Sequence, residues 1–199
     1  MEDLGLDPKL VDKSLDFKKV NDNKKKLYAA LDLGTNSCRM LIARPTGSRF
    51  EIVDAFSKSI RLGLDLERTG ELSQAGISRA LQALHVCAKK LNKFGVRNSR
   101  LVATEACRRS KNGKSFLSKV KKETGLTLEL IKPEEEARLA VISCAPLFDP
   151  NFSHVLIVDI GGGSTELVWM DLSEVPKEKR IAEMLKLQLG FKNKNYSKF

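Results

Sequence analysis

The chain has 199 residues, 42% of them hydrophobic and 30% charged, with a formal net charge of +10. That length suffices for one substantial core and part of a second. Its apolar runs are far shorter than a bilayer span, and residues 1–20 mix charges where a secretion signal would be apolar, so no membrane association is expected and a cytoplasmic location is.

Residues 177–199 hold seven Lys or Arg against two acids and so supply half of the net charge, while aromatic residues make up 6% of the chain and are not interleaved with basic stretches. Specific nucleic-acid binding is therefore not expected, although a polyanionic substrate would profit from the same field. Cys38, Cys87, Cys107 and Cys144 are scattered, without the close pairing of a zinc or redox site, and are read as reduced core thiols. His85 and His154 have no partner spaced for ligation and are read as structural.

Residues 1–26 mix seven lysines with six acids and are expected to form a mobile charged leader. Order is expected from Leu27. Residues 27–31 read as a buried strand, Arg39–Ala43 as a second, and Phe50–Ala55 as a third after the turn at Pro45-Thr46-Gly47. From Ser73 to Phe94 the apolar residues Ile77, Leu81, Leu84, Ala88 and Leu91 recur at helical spacing, with Ser73 as N-cap and Gly95 as stop. A strand over Arg100–Thr104, a helix over Ser115–Glu123, a strand over Thr127–Ile131 and a helix from Pro133 to Cys144 complete the order βββαβαβα. This is an α/β pattern with a mixed sheet covered by helices, spanning 27–148.

The pattern then restarts. Val155–Ile160 reads as a buried strand and Glu166–Met170 as its partner. Asp159-Ile160-Gly161-Gly162-Gly163-Ser164-Thr165 matches Asp32-Leu33-Gly34-Thr35-Asn36-Ser37 in having a strand-closing aspartate, an aliphatic residue, glycine, and small polar or glycine positions. The two stretches read as an internal repeat. A second copy as long as the first would extend well past residue 199, so 152–199 is expected to be an incomplete second domain with a basic tail.

A strand ending in Asp-x-Gly and turning tightly exposes successive backbone N–H groups and lets phosphate approach closely. The adjoining aspartate suits a hydrated magnesium ion. For Asp32-Leu33-Gly34-Thr35 alone an ordinary hairpin turn is an equal reading; the three consecutive glycines after Asp159 favour phosphate.

The paired loops resemble the phosphate motifs of the ribonuclease H-like, actin-like ATPase and sugar/acetate kinase superfold. Three stretches resemble one family within it, the exopolyphosphatase/guanosine pentaphosphate phosphohydrolase (Ppx/GppA) phosphatases. Thr104 to Asn112 is similar to T-x-A-x-R-x-A-x-N with Ser110 replacing alanine, Glu135-Glu136-Ala137-Arg138-Leu139 to E-E-A-R-L, and Asp159–Glu166 to D-I-G-G-G-S-T-E. The resemblance implies a domain with a mixed five-stranded sheet, then the first hairpin of a second similar domain. It implies hydrolysis of terminal phosphoanhydrides of polyphosphate or guanosine pentaphosphate with Mg2+ or another divalent cation. Glu136 is expected as general base, with Asp159 and Glu166 beside the metal and the attacking water, and Asp32 sharing the metal with Asp159. Gly34, Thr35, Asn36, Ser37, Arg39, Arg108, Gly161, Gly162, Gly163, Ser164 and Thr165 are expected at phosphate.

On residue physics alone Glu134, Glu135 and Glu136 read as acids complementing the dipole of a first helical turn, and only the resemblance singles out Glu136; Arg39 suits solvent as well as phosphate, whereas for Arg108 phosphate is the favoured reading. Two other readings compete: an ATP-dependent kinase of the same superfold, and an inactive or phosphate-binding remnant. The chain is expected either to form a homodimer or to be completed by another chain supplying the missing domain.

Overall fold

Side-chain alternation along the first strand fixes where the chemistry can stand. In β1 (Tyr28–Leu33) Ala29, Leu31 and Leu33 are buried while Tyr28, Ala30 and Asp32 are exposed, so Asp32 points away from the core. The computed structural model describes residues 26–47, 49–186 and 196–198. The expected leader at 1–25 and the stretch 187–195 lie outside the described residues.

β1 pairs antiparallel with β2 (Ser37–Thr46), which pairs antiparallel with β3 (Arg49–Ser59). On its other side β1 runs parallel to β4 (Asn98–Ala103), and β4 parallel to β5 (Glu129–Leu130), giving a mixed sheet of order β3-β2-β1-β4-β5. One face is covered by helices. Two are short, α1 (Leu66–Thr69) and α3 (Glu105–Arg109), and two are longer, α2 (Gln74–Lys93) and α4 (Gly113–Thr124).

α2 begins where Ser73 Oγ accepts from Gly76 N at 3.2 Å. It buries the stripe Ile77, Ala80, Leu81, Leu84, Cys87 and Leu91. Each fully buried Leu or Ile there contributes about 1.5–3 kcal/mol. The core joins this stripe to Leu31, Leu33, Met40, Ile42, Phe116 and Val120.

The expected α/β architecture with a mixed five-stranded sheet is met, with three differences. α1 and α3 were not expected, because four or five residues are too few to show a helical period. β5 is two residues long instead of five, since only Glu129 and Leu130 reach the β4 ladder. And β1 is buried on one face only.

α5 (Pro133–Cys144) follows β5 directly, and a 3-10 turn (Ala145–Leu147) leads to a second sheet. There β6 (His154–Ile160) pairs antiparallel with β7 (Thr165–Asp171), and β7 with β8 (Tyr196–Lys198). α5 and α6 (Arg180–Lys186) close one face, with Ala137, Val141, Ala145, Ile157, Val168, Met170 and Met184 in a separate cluster.

The strand expected to be buried at Val155–Ile160 is mostly open: Leu156, Val158 and Ile160 are 57%, 49% and 77% exposed, and only Ile157 is buried. α5 covers one face of β6, and alternation sends those three side chains to the other. Of the L-P-L-G-like strand expected over 185–190, Leu185 lies inside α6, and residues 187–190 lie outside the described residues. Among the described residues no helix is long and apolar enough to cross a membrane.

Candidate active site

Three parallel strands end on the same side of the main sheet, and each delivers an acid to one cleft. β1 carries Asp32 as its next-to-last residue, β4 runs into Thr104 and Glu105, and β5 leads through Lys132 and Pro133 to Glu136 on the first turn of α5. Such a position, beyond the carboxyl ends of parallel strands, is where α/β sheets gather ligands. The second sheet faces it with Asp159, Ile160, the three glycines, Ser164 and Glu166. The cleft measures about 360 Å3.

The two glycine loops have the same turn. Gly34 N donates to Ser37 O at 2.9 Å, and Gly161 N donates to Ser164 O at 2.8 Å. Asp32 pairs with Arg39 across the first hairpin and Asp159 with Glu166 across the second. The loops also touch: a Cβ on Gly162 would stand 2.6 Å from Asn36 Cγ, and one on Gly163 would stand 2.7 Å from Thr35 Oγ1. Glycine is needed here for close approach.

The three successive glutamates take separate roles. Glu134 is exposed. Glu135 is gripped by Arg138 through two bonds of 2.6 Å and by Arg100 at 2.8 Å, which hold its carboxyl down at about 2. Glu136 alone lines the cleft. Burial raises its pKa above the ordinary carboxylate value; the hydrogen bond and charge of Arg108 pull it back, while Glu166 and Asp32 push it up.

Asp32 is also raised. It opens to the cleft but is walled by both loops, and that loss of water is the leading cause; Arg39 opposes it and the Asp159 charge adds to it. Glu166 is 4% exposed and has no ion pair or hydrogen bond to its carboxylate among the described residues. The site is thus short of positive charge, which fits a divalent cation between Asp32 and Asp159. Among the described residues no three potential ligands are close enough to cage a metal. A magnesium ion, which takes one or two carboxylates and keeps several waters, suits that donor set.

Of the expected site residues, Gly34, Thr35, Asn36, Ser37, Arg39, Gly161, Gly162, Gly163 and Ser164 line the cleft with the acids. Thr165 begins β7 and does not. Arg108 stands behind the lining. Its Nη1 donates to Glu136 Oε2 at 3.0 Å and to Ile131 O at 2.8 Å, and its Nη2 donates to Glu105 Oε2 at 2.5 Å.

Thr104 and Glu105 line the cleft, although in the sequence Glu105 reads as a bystander in the stretch 104–112 and Thr104 has no expected site role. The spacing of Glu105 three and four residues before Arg108 and Arg109 was the available signal. Asn112, in the same motif, has a scaffold role, clamping Leu72 through bonds of 2.8 and 3.0 Å. His85 is exposed on α2. His154 stacks on Trp169 with ring centroids 5.4 Å apart and lies 3.5 Å from Asp171, a carboxylate neighbour that spacing did not suggest.

A strand-end acid cluster facing two glycine turns is an arrangement suited to phosphate in an α/β fold. Comparison with known proteins agrees: the model of the Ppx/GppA phosphatase family matches residues 41–191, and the chain belongs to that family. The matched span includes Glu136 and Asp159–Glu166 and begins just after Arg39.

Among solved structures, the Aquifex aeolicus Ppx/GppA family member is 36% identical over 74% of this chain and 48% of its own, with a TM-score of 0.64. An exopolyphosphatase-like protein is 30% identical over 76% of this chain and 47% of its own, with a TM-score of 0.68. An exopolyphosphatase from Cytophaga hutchinsonii, 22% identical over 76% of this chain and 48% of its own with a TM-score of 0.68, shares the fold. The chain spans about half the length of the solved structures it matches.

Proposed function

We propose that the cleft hydrolyses terminal phosphoanhydride bonds of inorganic polyphosphate or guanosine pentaphosphate, releasing orthophosphate. The reading rests chiefly on one observation: two matched Asp-turn loops meet tip to tip, and the half-buried Glu136 faces the same cleft. Family membership supports the reaction class.

The glycine turns and Arg39 would receive phosphate oxygens, the turns through backbone N–H groups and Arg39 through its planar fork. Asp32 and Asp159 would hold a divalent cation, which when bound neutralises phosphate charge. Glu136, ionised, would accept a proton from the attacking water, which adds to the terminal phosphorus as the bridging oxygen leaves with its electron pair. Arg108 holds Glu136 in place through the 3.0 Å bond, and Glu105 holds Arg108. Glu166, buried and unpaired among the described residues, would orient the water or the cation's own water shell.

Phosphate release by the purified chain from each substrate with Mg2+ tests the reading, with Glu136→Gln as the comparison. The variant should lose at least about 100-fold, the lower end for general-base removal. Equal release by both proteins would sink the assignment of Glu136, and phosphoryl transfer from ATP without polyphosphate turnover would favour a kinase instead.

A further inference from the structure

Arg61 is a non-glycine residue with a left-handed backbone, at φ 45°. Such a conformation costs about 1–3 kcal/mol and persists only where neighbours over-determine it. Here they do. Ile60 N and Arg61 N both donate to Asn36 O, at 2.8 and 3.0 Å, and Gly63 N donates to Thr35 O at 3.1 Å. From α2, Arg79 Nε donates to Ile60 O at 2.7 Å and its Nη2 to Arg61 O at 3.1 Å. The strained turn is therefore fastened to the tip of the first phosphate loop, whose Thr35 and Asn36 line the cleft.

The side chain it carries is uncommitted. Arg61 is exposed and makes no side-chain hydrogen bond or ion pair among the described residues. The acids that follow it are engaged elsewhere, Asp65 with Arg68 at 3.4 Å and Glu67 with Arg109 at 2.6 Å. Glycine would hold this turn without strain, so what arginine adds is a cation on a rigid base beside the cleft.

We infer that Arg61 is a binding residue for phosphate groups beyond the one undergoing hydrolysis, a distal subsite that favours long linear polyphosphate over short phosphates. The inference rests on the phosphatase reading above. Arg61 does not line the cleft, so a single phosphate seated between the glycine turns leaves it untouched. Its backbone is bonded to Asn36 at the loop tip, so a longer phosphate chain leaving the cleft past Asn36 would come within its reach, and a guanidinium fork can take two phosphate oxygens at once.

The test is calorimetric titration in Mg2+ buffer with orthophosphate, pyrophosphate and long-chain polyphosphate. Every protein carries Glu136→Gln to suppress turnover. Adding Arg61→Gln should weaken long-chain binding roughly three- to tenfold, consistent with loss of a partly solvated charge-assisted contact, and leave pyrophosphate within about twofold. Arg61→Gly relieves the backbone strain, so it should match or exceed the parent's melting temperature while losing the same long-chain affinity; this separates lost charge from lost fold. Long-chain binding undiminished in both variants overturns the subsite and leaves the phosphatase reading standing. A parent protein that binds no polyphosphate overturns both.

Discussion

Arg39 and Glu166 occupy the same register position in the β1–β2 and β6–β7 hairpins: each lies across the ladder from the next-to-last residue of the preceding strand, Asp32 for Arg39 and Asp159 for Glu166. One turn geometry thus presents a cation on one wall of the cleft and an acid on the other. The proposed division of labour follows, with Arg39 on phosphate and Glu166 on the water or metal side. Arg39→Gln should weaken pyrophosphate binding about tenfold, the scale of one charge-assisted contact, with a smaller change in the Mg2+ requirement. Glu166→Gln should show the reverse, raising the Mg2+ concentration for half-maximal phosphate release by about tenfold or more. Titrations of each variant against both ligands read the split, and identical profiles would refute it.

Glu136 carries a pH signature. Burial raises its pKa, so the base form develops at higher pH than for an ordinary carboxylate, and the acid limb of kcat/KM should lie above the 4.5 of an unrestrained glutamate. Arg108 lowers that pKa by hydrogen bond and charge. Removing its charge with Arg108→Gln should therefore move the limb further up, while Glu136→Gln should remove its contribution to the limb. A limb in Arg108→Gln that stays in place or moves down would show that another group controls it.

The contact between the loop tips predicts a rescue. Gly162→Ala would put a Cβ 2.6 Å from Asn36 Cγ, a separation that side chains do not tolerate, so Asn36 must leave or the loops must part. Phosphate affinity should fall several-fold, and Asn36→Gly should restore part of it in the double variant, because every obstructing atom, Cγ at 2.6 Å and Cβ at 2.9 Å among them, belongs to that side chain. Gly113→Ala has no such escape. Its Cβ would fall 2.0 Å from the backbone oxygen of Cys107, and the variant should lose about 3 kcal/mol or more of stability, at the upper end for overpacking. Thermal melts of the three variants distinguish the two kinds of clash.

Much of this was legible in the sequence because it is written in local chemistry. The glycine turns, the helix from Ser73 and the start at Pro133 each have a short-range cause, and the structure shows these elements with small shifts at their ends. What was not legible depends on packing between distant segments. Helical spacing offers Arg138 to Glu134 and Glu135 alike; Arg100, brought from β4, joins it on Glu135, and the cleft between the two sheets claims Glu136. Arg108 read as a free phosphate ligand, yet Glu105, three residues before it, and Glu136, once α5 is brought to α3, take its guanidinium. The apolar run from Val155 to Ile160 looked like an interior strand, because sequence records hydrophobicity and not whether both faces are covered.

Glu135 supplies a stability prediction independent of catalysis. Arg138 and Arg100 hold its carboxyl at about 2, below the 4.5 of an unrestrained glutamate. A depressed carboxylate stabilises the fold fully above its unfolded pKa, and that contribution fades as pH falls from 4.5 toward 2, where both states are protonated. The carboxylate is partly exposed, so solvent screening keeps the effect to about 1 kcal/mol, or about 2–4 °C in melting temperature for a domain of this size. Glu135→Gln should therefore melt earlier than the parent at pH 7, and the gap should close progressively between about pH 5 and pH 2. Because Glu135 does not line the cleft, phosphate binding at temperatures well below the melt should stay within about twofold of the parent. A melting difference independent of pH would mean that the side chain acts through packing and not through its charge, and the ion-pair account of the α5 start would have to be abandoned.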